Sequence, residues 1–245
     1  MMNPHDQTEP NPIRDALRER YALPQTLPDP LPDHPMDIVR TWFDNAHDLR
    51  VQPNPNAISL ATCDAQGIVS CRIVLCKHLN PRGYLTFYTN YDSRKGLALR
   101  ERPRAAAVMH WDALDRQIRF EGVTVRAPEF ESDVYFASRP VESRLGAWAS
   151  DQSQPIDSRE AMLERVQATA ARLGVTPDHV HSGASIDIPR PPHWGGYRLW
   201  ADRIELWVGG PGRVHDRGVW TRTLAPSTEE AAFTPSEWLR ARLQP

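Results

Sequence analysis

The chain has few cysteines, no long apolar run and almost no excess of one charge, and each shortage removes a class of protein. Cys63, Cys71 and Cys76 are the only cysteines among 245 residues, an odd number with no Cys-x-x-Cys pair. A disulfide framework, a thiol redox motif and a thiolate metal site are therefore set aside, and the three are expected to be buried, reduced thiols. No apolar stretch approaches the roughly 18 residues that span a bilayer, so no membrane part is expected. The opening Met-Met-Asn-Pro-His-Asp-Gln-Thr-Glu-Pro lacks the basic and apolar regions of a secretory signal, and a cytoplasmic setting is expected. Lys and Arg number 29 against 31 Asp and Glu, for a formal net charge of −2. No global basic field points to nucleic acid, so any anion must be met by a local cluster. Nine histidines include no His-Glu-x-x-His, and no metal is expected. There is no internal repeat and no βαβ alternation.

Proline, by contrast, is abundant at one end. Pro4, Pro10, Pro12, Pro24, Pro28, Pro30, Pro32 and Pro35 crowd the first 35 residues. That density forbids much regular structure, so 1–35 is expected to be a mobile arm with at most a short helix over 13–21. A single domain is expected over 36–245. Met36, Val39, Trp42, Phe43 and Ala46 form a helical stripe over 36–50. Strands follow: 57–62 and 69–77 across the turn Asp64-Ala-Gln-Gly67, then 84–89. A short helix over 94–100 comes next, then a second strand pair at 105–111 and 117–126. Helices are expected over 128–137, 142–149 and from Ser158 to Gly174, with 175–193 irregular. The last strands are expected at 196–200, 203–208, 213–217 and 219–223. Sequential hairpins with helices inserted between them give the α+β class, an antiparallel barrel or sandwich with peripheral helices.

Several clusters carry chemistry. In Arg213-Val-His-Asp-Arg217, read as a strand after the turn Gly209-Gly-Pro-Gly212, positions 213, 215 and 217 project together. Two guanidiniums around an imidazole repel unless an anion or an electron-rich ring lies among them; an edge strand with solvated charges is the alternative. In Asn90-Tyr-Asp-Ser-Arg-Lys95 a strand end meets a helix start, where free N–H groups, Ser93, Arg94 and Lys95 could hold a phosphate. Arg72-Ile-Val-Leu-Cys-Lys77 carries a charge at each end of an apolar strand, and strict alternation puts Arg72 and Lys77 on opposite faces. Tyr135, Arg139 and Ser143 recur at a spacing of four, a second phosphate pocket if Pro140 kinks the helix only mildly. Gln152 and Ser153 in Trp148-Ala-Ser-Asp-Gln-Ser153, and Gln117 in Asp115-Arg-Gln117, offer groups suited to a heterocycle edge.

Taken in order, these runs resemble the pyridoxine/pyridoxamine 5′-phosphate oxidase family. The likeness rests on Arg72–Lys77, Phe87-Tyr-Thr-Asn-Tyr-Asp-Ser-Arg-Lys95, Asp115-Arg-Gln117, Tyr135-Phe-Ala-Ser-Arg-Pro140 and Gly146–Ser153. Trp194-Gly-Gly-Tyr197, Glu205-Leu-Trp207, His215-Asp-Arg217 and Arg242-Leu-Gln-Pro245 complete it. It implies an FMN-binding split β-barrel acting as a homodimer, with each flavin at the subunit interface. Carried over by motif, the flavin contacts are Arg72, Ile73, Val74, Leu75, Cys76, Lys77, Tyr88, Thr89, Ser93, Arg94, Lys95, Gln117, Gln152, Ser153, Trp207 and Arg217. The substrate phosphate falls to Lys77, Tyr135, Arg139 and Ser143, while Arg213 and His215 lie over the pyridine ring as the catalytic pair. The implied reaction oxidises pyridoxine or pyridoxamine 5′-phosphate at C4′ to pyridoxal 5′-phosphate, with O2 as acceptor and H2O2 as product. Asn54 departs from the family's usual acidic residue before the proline and cannot act as a base. Two alternatives share the barrel: a flavin oxidase acting on a reduced phenazine precursor, and a non-catalytic FMN- or pyridoxal-phosphate-binding protein.

Overall fold

The computed structural model of the protein describes residues 26–181 and 185–245. Helix α1 (Met36–Asp48) buries Met36, Val39, Trp42 and Ala46, the stripe read from the sequence. Strands β1 (Ala57–Cys63) and β2 (Val69–Leu75) form the expected hairpin. Its turn is held by the Asp64 carboxylate, which accepts from the N–H groups of Gln66 and Ile68, and by Gly67 at φ +85°. After a short β3 (His78–Asn80) come β4 (Tyr84–Asn90), α2 (Arg94–Glu101), β5 (Arg104–Trp111) and β6 (Arg116–Arg126). Four helices follow: α3 (Glu129–Ala137), α4 (Val141–Ala149), α5 (Arg159–Arg172) and α6 (Pro177–His181). The chain ends in β7 (Trp194–Val208), β8 (Asp216–Thr221), the paired β9 (Leu224–Pro226) and β10 (Phe233–Pro235), and β11 (Leu239–Leu243).

Among the described residues all pairings are antiparallel, and nine strands form one sheet in the order β11-β8-β7-β6-β5-β1-β2, with β4 also on β7 and β3 on β4. Strand β7 is where the sheet divides. Its first half pairs with β4, its last six residues pair with β8, and β6 runs along both. This is the antiparallel split barrel of the α+β class, with peripheral helices, that the resemblance implied. Its interior is filled by Phe87, Met109, Ile118, Phe120, Leu199, Ile204 and Leu206, all fully buried, and is capped by α1. A second, smaller cluster joins Phe136, Val141, Leu145, Ile188 and Trp194 under the helices.

Several sequence expectations need correction. The strands expected at 196–200 and 203–208 are one strand, because pairing with β6 carries the chain through Ala201-Asp202, which is absorbed as a bulge. Glu121 faces Arg203 while Gly122 faces Ala201, leaving Asp202 unopposed. The strand expected over 213–217 begins only at Asp216 and runs on without a break to Thr221, so it and the strand expected at 219–223 are one. Gly212 and Arg213 both adopt left-handed conformations, at φ +59° and +64°, in a turn over Pro211–Arg213. Arg213, His215 and Arg217 are therefore not alternate positions of one strand. Strand β3, the last three strands, β9 to β11, and α6 lie outside the expected elements. Of the three thiols only Cys76 is buried, and its pKa is pushed up to about 12 by desolvation; Cys63 is half-buried and Cys71 is exposed. The expected mobile arm and its helix over 13–21 lie largely outside the described residues, but residues 26–35 are anchored. Leu27 and Leu31 are buried, Leu27 N–H donates to Asp216, and Trp220 Nε1–H donates to the Pro32 carbonyl. No described helix is long and apolar enough to cross a membrane.

The bulge depends on Gly122, since a Cβ built there would lie 1.9 Å from the Trp200 carbonyl oxygen. Gly122→Ala must push β6 from β7 along the strand that divides the barrel. Urea denaturation is expected to show a loss of at least about 2 kcal/mol, the scale of forced overpacking. An unchanged midpoint would show that the bulge is more plastic than its geometry implies.

Candidate active site

The first candidate site opens where β4 runs into α2. Ser93 caps the helix: its hydroxyl accepts from Gly96 N–H at 3.3 Å and from Lys95 Nζ at 3.1 Å, and donates to the Asn90 carbonyl at 2.7 Å. The free N–H groups of a helix start favour an anion here. Lys95 is only 9% exposed, and its ammonium meets two neutral acceptors, Ser93 Oγ and Gln152 Oε1. Burial, helped by repulsion from Arg72, brings its pKa down from 10.5 to about 8. Arg72 sits on the core-facing side of β2, donating to the Leu60 carbonyl and to the Thr62 and Ser70 hydroxyls. Burial first, and repulsion from Arg94 also, lower its pKa. Among the described residues, none of Arg72, Arg94 and Lys95 has a carboxylate partner.

A cleft of about 310 Å³ adjoins this cluster, lined by Ile73, Val74, Leu75, Lys77, Tyr88, Thr89, Lys95, Tyr135, Arg139, Gln152 and Trp194. Strand β2 ends at Leu75. Cys76 N–H then donates to Asn56 and Lys77 N–H to Thr86, so the chain crosses from β1 to β4 between them. Strict alternation therefore does not reach Lys77, which lies exposed at the cleft. Three near-parallel rings form one wall: Tyr88 stacks on Tyr135 at 4.0 Å and on Trp194 at 5.5 Å. Arg139 lies 4.6 Å from the Trp194 ring and Lys77 Nζ 5.6 Å from Tyr135. Arg139 Nη1 is buried and makes no hydrogen bond. A buried donor without a partner costs about 1–3 kcal/mol, which a ligand oxygen would relieve. Helices α3 and α4 are separated by Ser138-Arg139-Pro140, so Tyr135, Arg139 and Ser143 do not share one helical face. The first two still meet at the cleft. Ser143, half-buried on α4, is not among its lining residues, nor are the exposed Arg94 and Ser153. Cys76 is buried, with its thiol toward the His78 carbonyl.

The remaining site residues lie elsewhere. Gln117, Trp207 and Arg217 stand directly opposite one another on β6, β7 and β8 and so share one face of the sheet. The His215 ring is 4.6 Å from Trp207, and its Nδ1 accepts from Gly210 N–H at 3.1 Å. That bond leaves the proton of the neutral ring on Nε2. Both residues line a larger cleft of about 670 Å³, which shares no lining residue with the first. Arg213 is exposed on the turn before it. Thr89 pairs with Gly195, whereas Trp207 lies twelve residues further along β7, about 40 Å of strand contour. Sequence reasoning missed two residues that organise these patches. Trp194 reads in sequence only as part of the run Trp194-Gly-Gly-Tyr197, and Glu205, which bonds Arg217, as an ordinary strand charge.

The desolvated Lys95 has a direct consequence for the protein without ligands. Between pH 8 and 10.5 the folded chain has shed this proton while the unfolded chain keeps it, so stability should rise with pH through that window. Lys95→Met is expected to flatten that rise in denaturation curves; an identical slope in both proteins would contradict the assignment.

Comparison with known proteins agrees with this architecture. The profile of the pyridoxamine 5′-phosphate oxidase family matches residues 46–172, and that of the pyridoxine 5′-phosphate oxidase C-terminal dimerisation region matches residues 194–245. A pyridoxine/pyridoxamine 5′-phosphate oxidase of Bordetella avium is 51% identical over 201 residues, covering 82% of this chain and 89% of the relative. One from Paraburkholderia phytofirmans is 43% identical over 229 residues, covering 94% and 97%. Among solved structures, PhzG from Burkholderia lata, bound to tetrahydrophenazine-1-carboxylic acid, superposes with a TM-score of 0.72 at 29% identity, covering 87% of this chain and 94% of that one. An FMN-binding protein from Nostoc punctiforme shares the fold, with a TM-score of 0.58 at 16% identity over 82% of this chain and 94% of that one. On these matches the chain belongs to the pyridoxine/pyridoxamine 5′-phosphate oxidase family.

Proposed function

We propose that this protein is an FMN-dependent oxidase that converts pyridoxine 5′-phosphate and pyridoxamine 5′-phosphate to pyridoxal 5′-phosphate, with O2 as acceptor and H2O2 as product. The observation that carries this reading is a pair of cationic groups, one adjoining and one lining the same cleft, neither matched by a carboxylate among the described residues. Arg72, Arg94 and Lys95 gather at the start of α2, and Lys77 and Arg139 gather beside the aromatic stack. One phosphoester for each set would neutralise both. The residues fit FMN: a helix N-terminus with buried Lys95 suits its phosphate, and Gln152, with Gln117 and Trp207, suits the edge and face of a flat heterocycle. Bound FMN supplies the two-electron redox chemistry that connects substrate oxidation to O2.

The chain's own residues supply position and charge. Lys77, Tyr135 and Arg139, with Ser143 at the margin, would hold the substrate phosphate and set the ring against the cofactor. His215, with Nδ1 occupied by Gly210 N–H, would offer Nε2–H to an oxygen substituent on the pyridine ring. Arg213 places a positive charge where a C4′ hydroxyl or amine must lose its proton. Because Trp207, His215 and Arg217 line a different patch from Lys95 and Arg139, we read each chain as carrying two half-sites that a homodimer completes. The match to a C-terminal dimerisation region supports that reading. A second reading, oxidation of a reduced phenazine acid, draws on the likeness to PhzG. The higher identity to relatives named for the vitamin substrates favours the first.

Oxygen uptake with each phosphorylated vitamer, FMN added back, tests the proposal; yellow protein inert to both would favour a binding protein, and turnover of a dihydrophenazine acid alone would favour the second reading. Arg213→Ala is expected to lower turnover at least about tenfold with flavin retained, the worth of one charge-assisted contact. Lys95→Ala should mainly weaken flavin retention. Mixing Lys95→Ala and His215→Ala proteins, at an FMN concentration too low to load the Lys95→Ala site, should restore about a quarter of parental activity, since random pairing makes half the dimers mixed and leaves one intact site in each. No recovery after verified subunit exchange would place the whole site within one chain.

A further inference from the structure

The face that carries Gln117, Trp207 and Arg217 has a second row beside it. Arg119 stands opposite Glu205, and Glu121 opposite Arg203, in the same register. Glu205 is 2% exposed, although the arginines around it are partly open. Its Oε1 accepts from Arg217 Nε at 3.0 Å and Nη2 at 2.7 Å. Its Oε2 lies 3.4 Å from Arg119 Nη1 and 3.8 Å from Arg203 Nη2. Arg119 also meets Glu121 at 2.6 Å, and Arg203 lies 3.9 Å from it. Three guanidiniums thus share two carboxylates, and the shortest bonds of the buried one go to Arg217.

Burying a carboxylate is costly unless its partners are well placed, and replacing a buried pair by apolar groups is often no loss of stability. Stability alone gives little reason for this arrangement. Arg217 has five N–H donors in a rigid fork. Two are taken by Glu205 and one, on Nη1, by the Gln244 carbonyl at 2.8 Å. The two that remain are held in fixed directions on the sheet face shared with Gln117 and Trp207.

We propose that Glu205 is a positioning residue: it locks the Arg217 fork for contact with the flavin and offsets part of its charge. This rests on the reading of Arg217 as a flavin contact. Two consequences follow from that role. Without the carboxylate the fork is loosened, so FMN should bind more weakly. The uncompensated guanidinium should also favour the more negative, reduced form of a nearby flavin.

The test uses the full-length protein, stripped of flavin and titrated with FMN by fluorescence quenching, then reconstituted for potentiometry. Glu205→Gln is expected to weaken FMN binding about tenfold, the scale of one charge-assisted bond, and to move the flavin midpoint to a more positive potential. In an Arg217→Gln background the same change should have no further effect on affinity. Unchanged affinity and potential, or an equal loss of affinity in both backgrounds, would overturn the proposal. Should Glu205→Gln not fold, Glu205→Asp keeps the charge but retracts it by one methylene; it should still weaken FMN binding, and parental affinity there would also overturn the role. A parent protein that binds no FMN would instead defeat the proposed function. In that case the slowly exchanging Nε–H resonance of Arg217 in the flavin-free protein, present with Glu205 and averaged in Glu205→Gln, still reports whether the lock exists.

Discussion

Positive charge held out of water without a protein counter-ion is the constraint on which the rest of this molecule turns. Desolvating an ammonium is expensive, and a lysine in such a position either loses its proton or finds an anion. Lys95 shows the first tendency, with a pKa brought down to about 8, and its surroundings are arranged for the second. Its neighbours Ser93 and Gln152 can orient the ammonium but cannot neutralise it. Arg72, fixed by three neutral acceptors, adds to the repulsion. A fold that builds this at a helix start, beside a cleft with the unpaired Arg139 guanidinium, is arranged so that an anionic ligand would relieve the cost while keeping Lys95 charged.

The elements that bring these groups together were largely legible in the sequence. Turn residues between apolar runs, with aromatic and β-branched content, locate the strands β1, β4, β5 and β6, and Ser93 and Ser158 mark the helix starts at α2 and α5 through their capping hydroxyls. What escaped was whatever depends on partners distant in the chain. Ala201-Asp202 looks like a turn when read locally, yet its neighbours on β6 and β8 carry the strand through it as a bulge. Arg213 looks like a strand residue, yet the left-handed Gly212 before it delays the strand to Asp216. The prolines around Leu27 and Leu31 suggest a free tail. Strand β11 explains why it is held, since Arg242 bonds both Asp216 and the carbonyls of Leu27 and Pro28.

The same limit explains which site residues were found. Lys77, Lys95, Tyr135 and Arg139 announce themselves as charges and rings in short runs with turn residues nearby. Trp194 and Glu205 act through cross-strand neighbours at large sequence separation. A tryptophan beside two glycines does not reveal that Gly195 is needed because Tyr91 Oη passes where a Cβ would stand, 2.1 Å away. Nor does a glutamate between isoleucine and leucine reveal three arginines gathering around it.

The half-site reading also accounts for a feature that a lone barrel leaves as a liability. Strand β2 is one edge of the sheet, and its outward residues Val69, Cys71 and Ile73 are exposed. Exposed apolar edges invite pairing with other chains unless something covers them. Here the stripe is continuous with the cleft, because Ile73 lines it next to Lys77 and Tyr88. A second copy seated on this edge would bury the stripe and, on the half-site reading, bring the completing surface to that cleft. On the half-site reading the other end of the sheet carries the complement, Trp207 on β7, Arg217 on β8 and His215 just before β8, within the region matched to dimerisation. Covering the edge and completing the site would then be the same event, so that a folded, isolated chain would be both sticky and inactive.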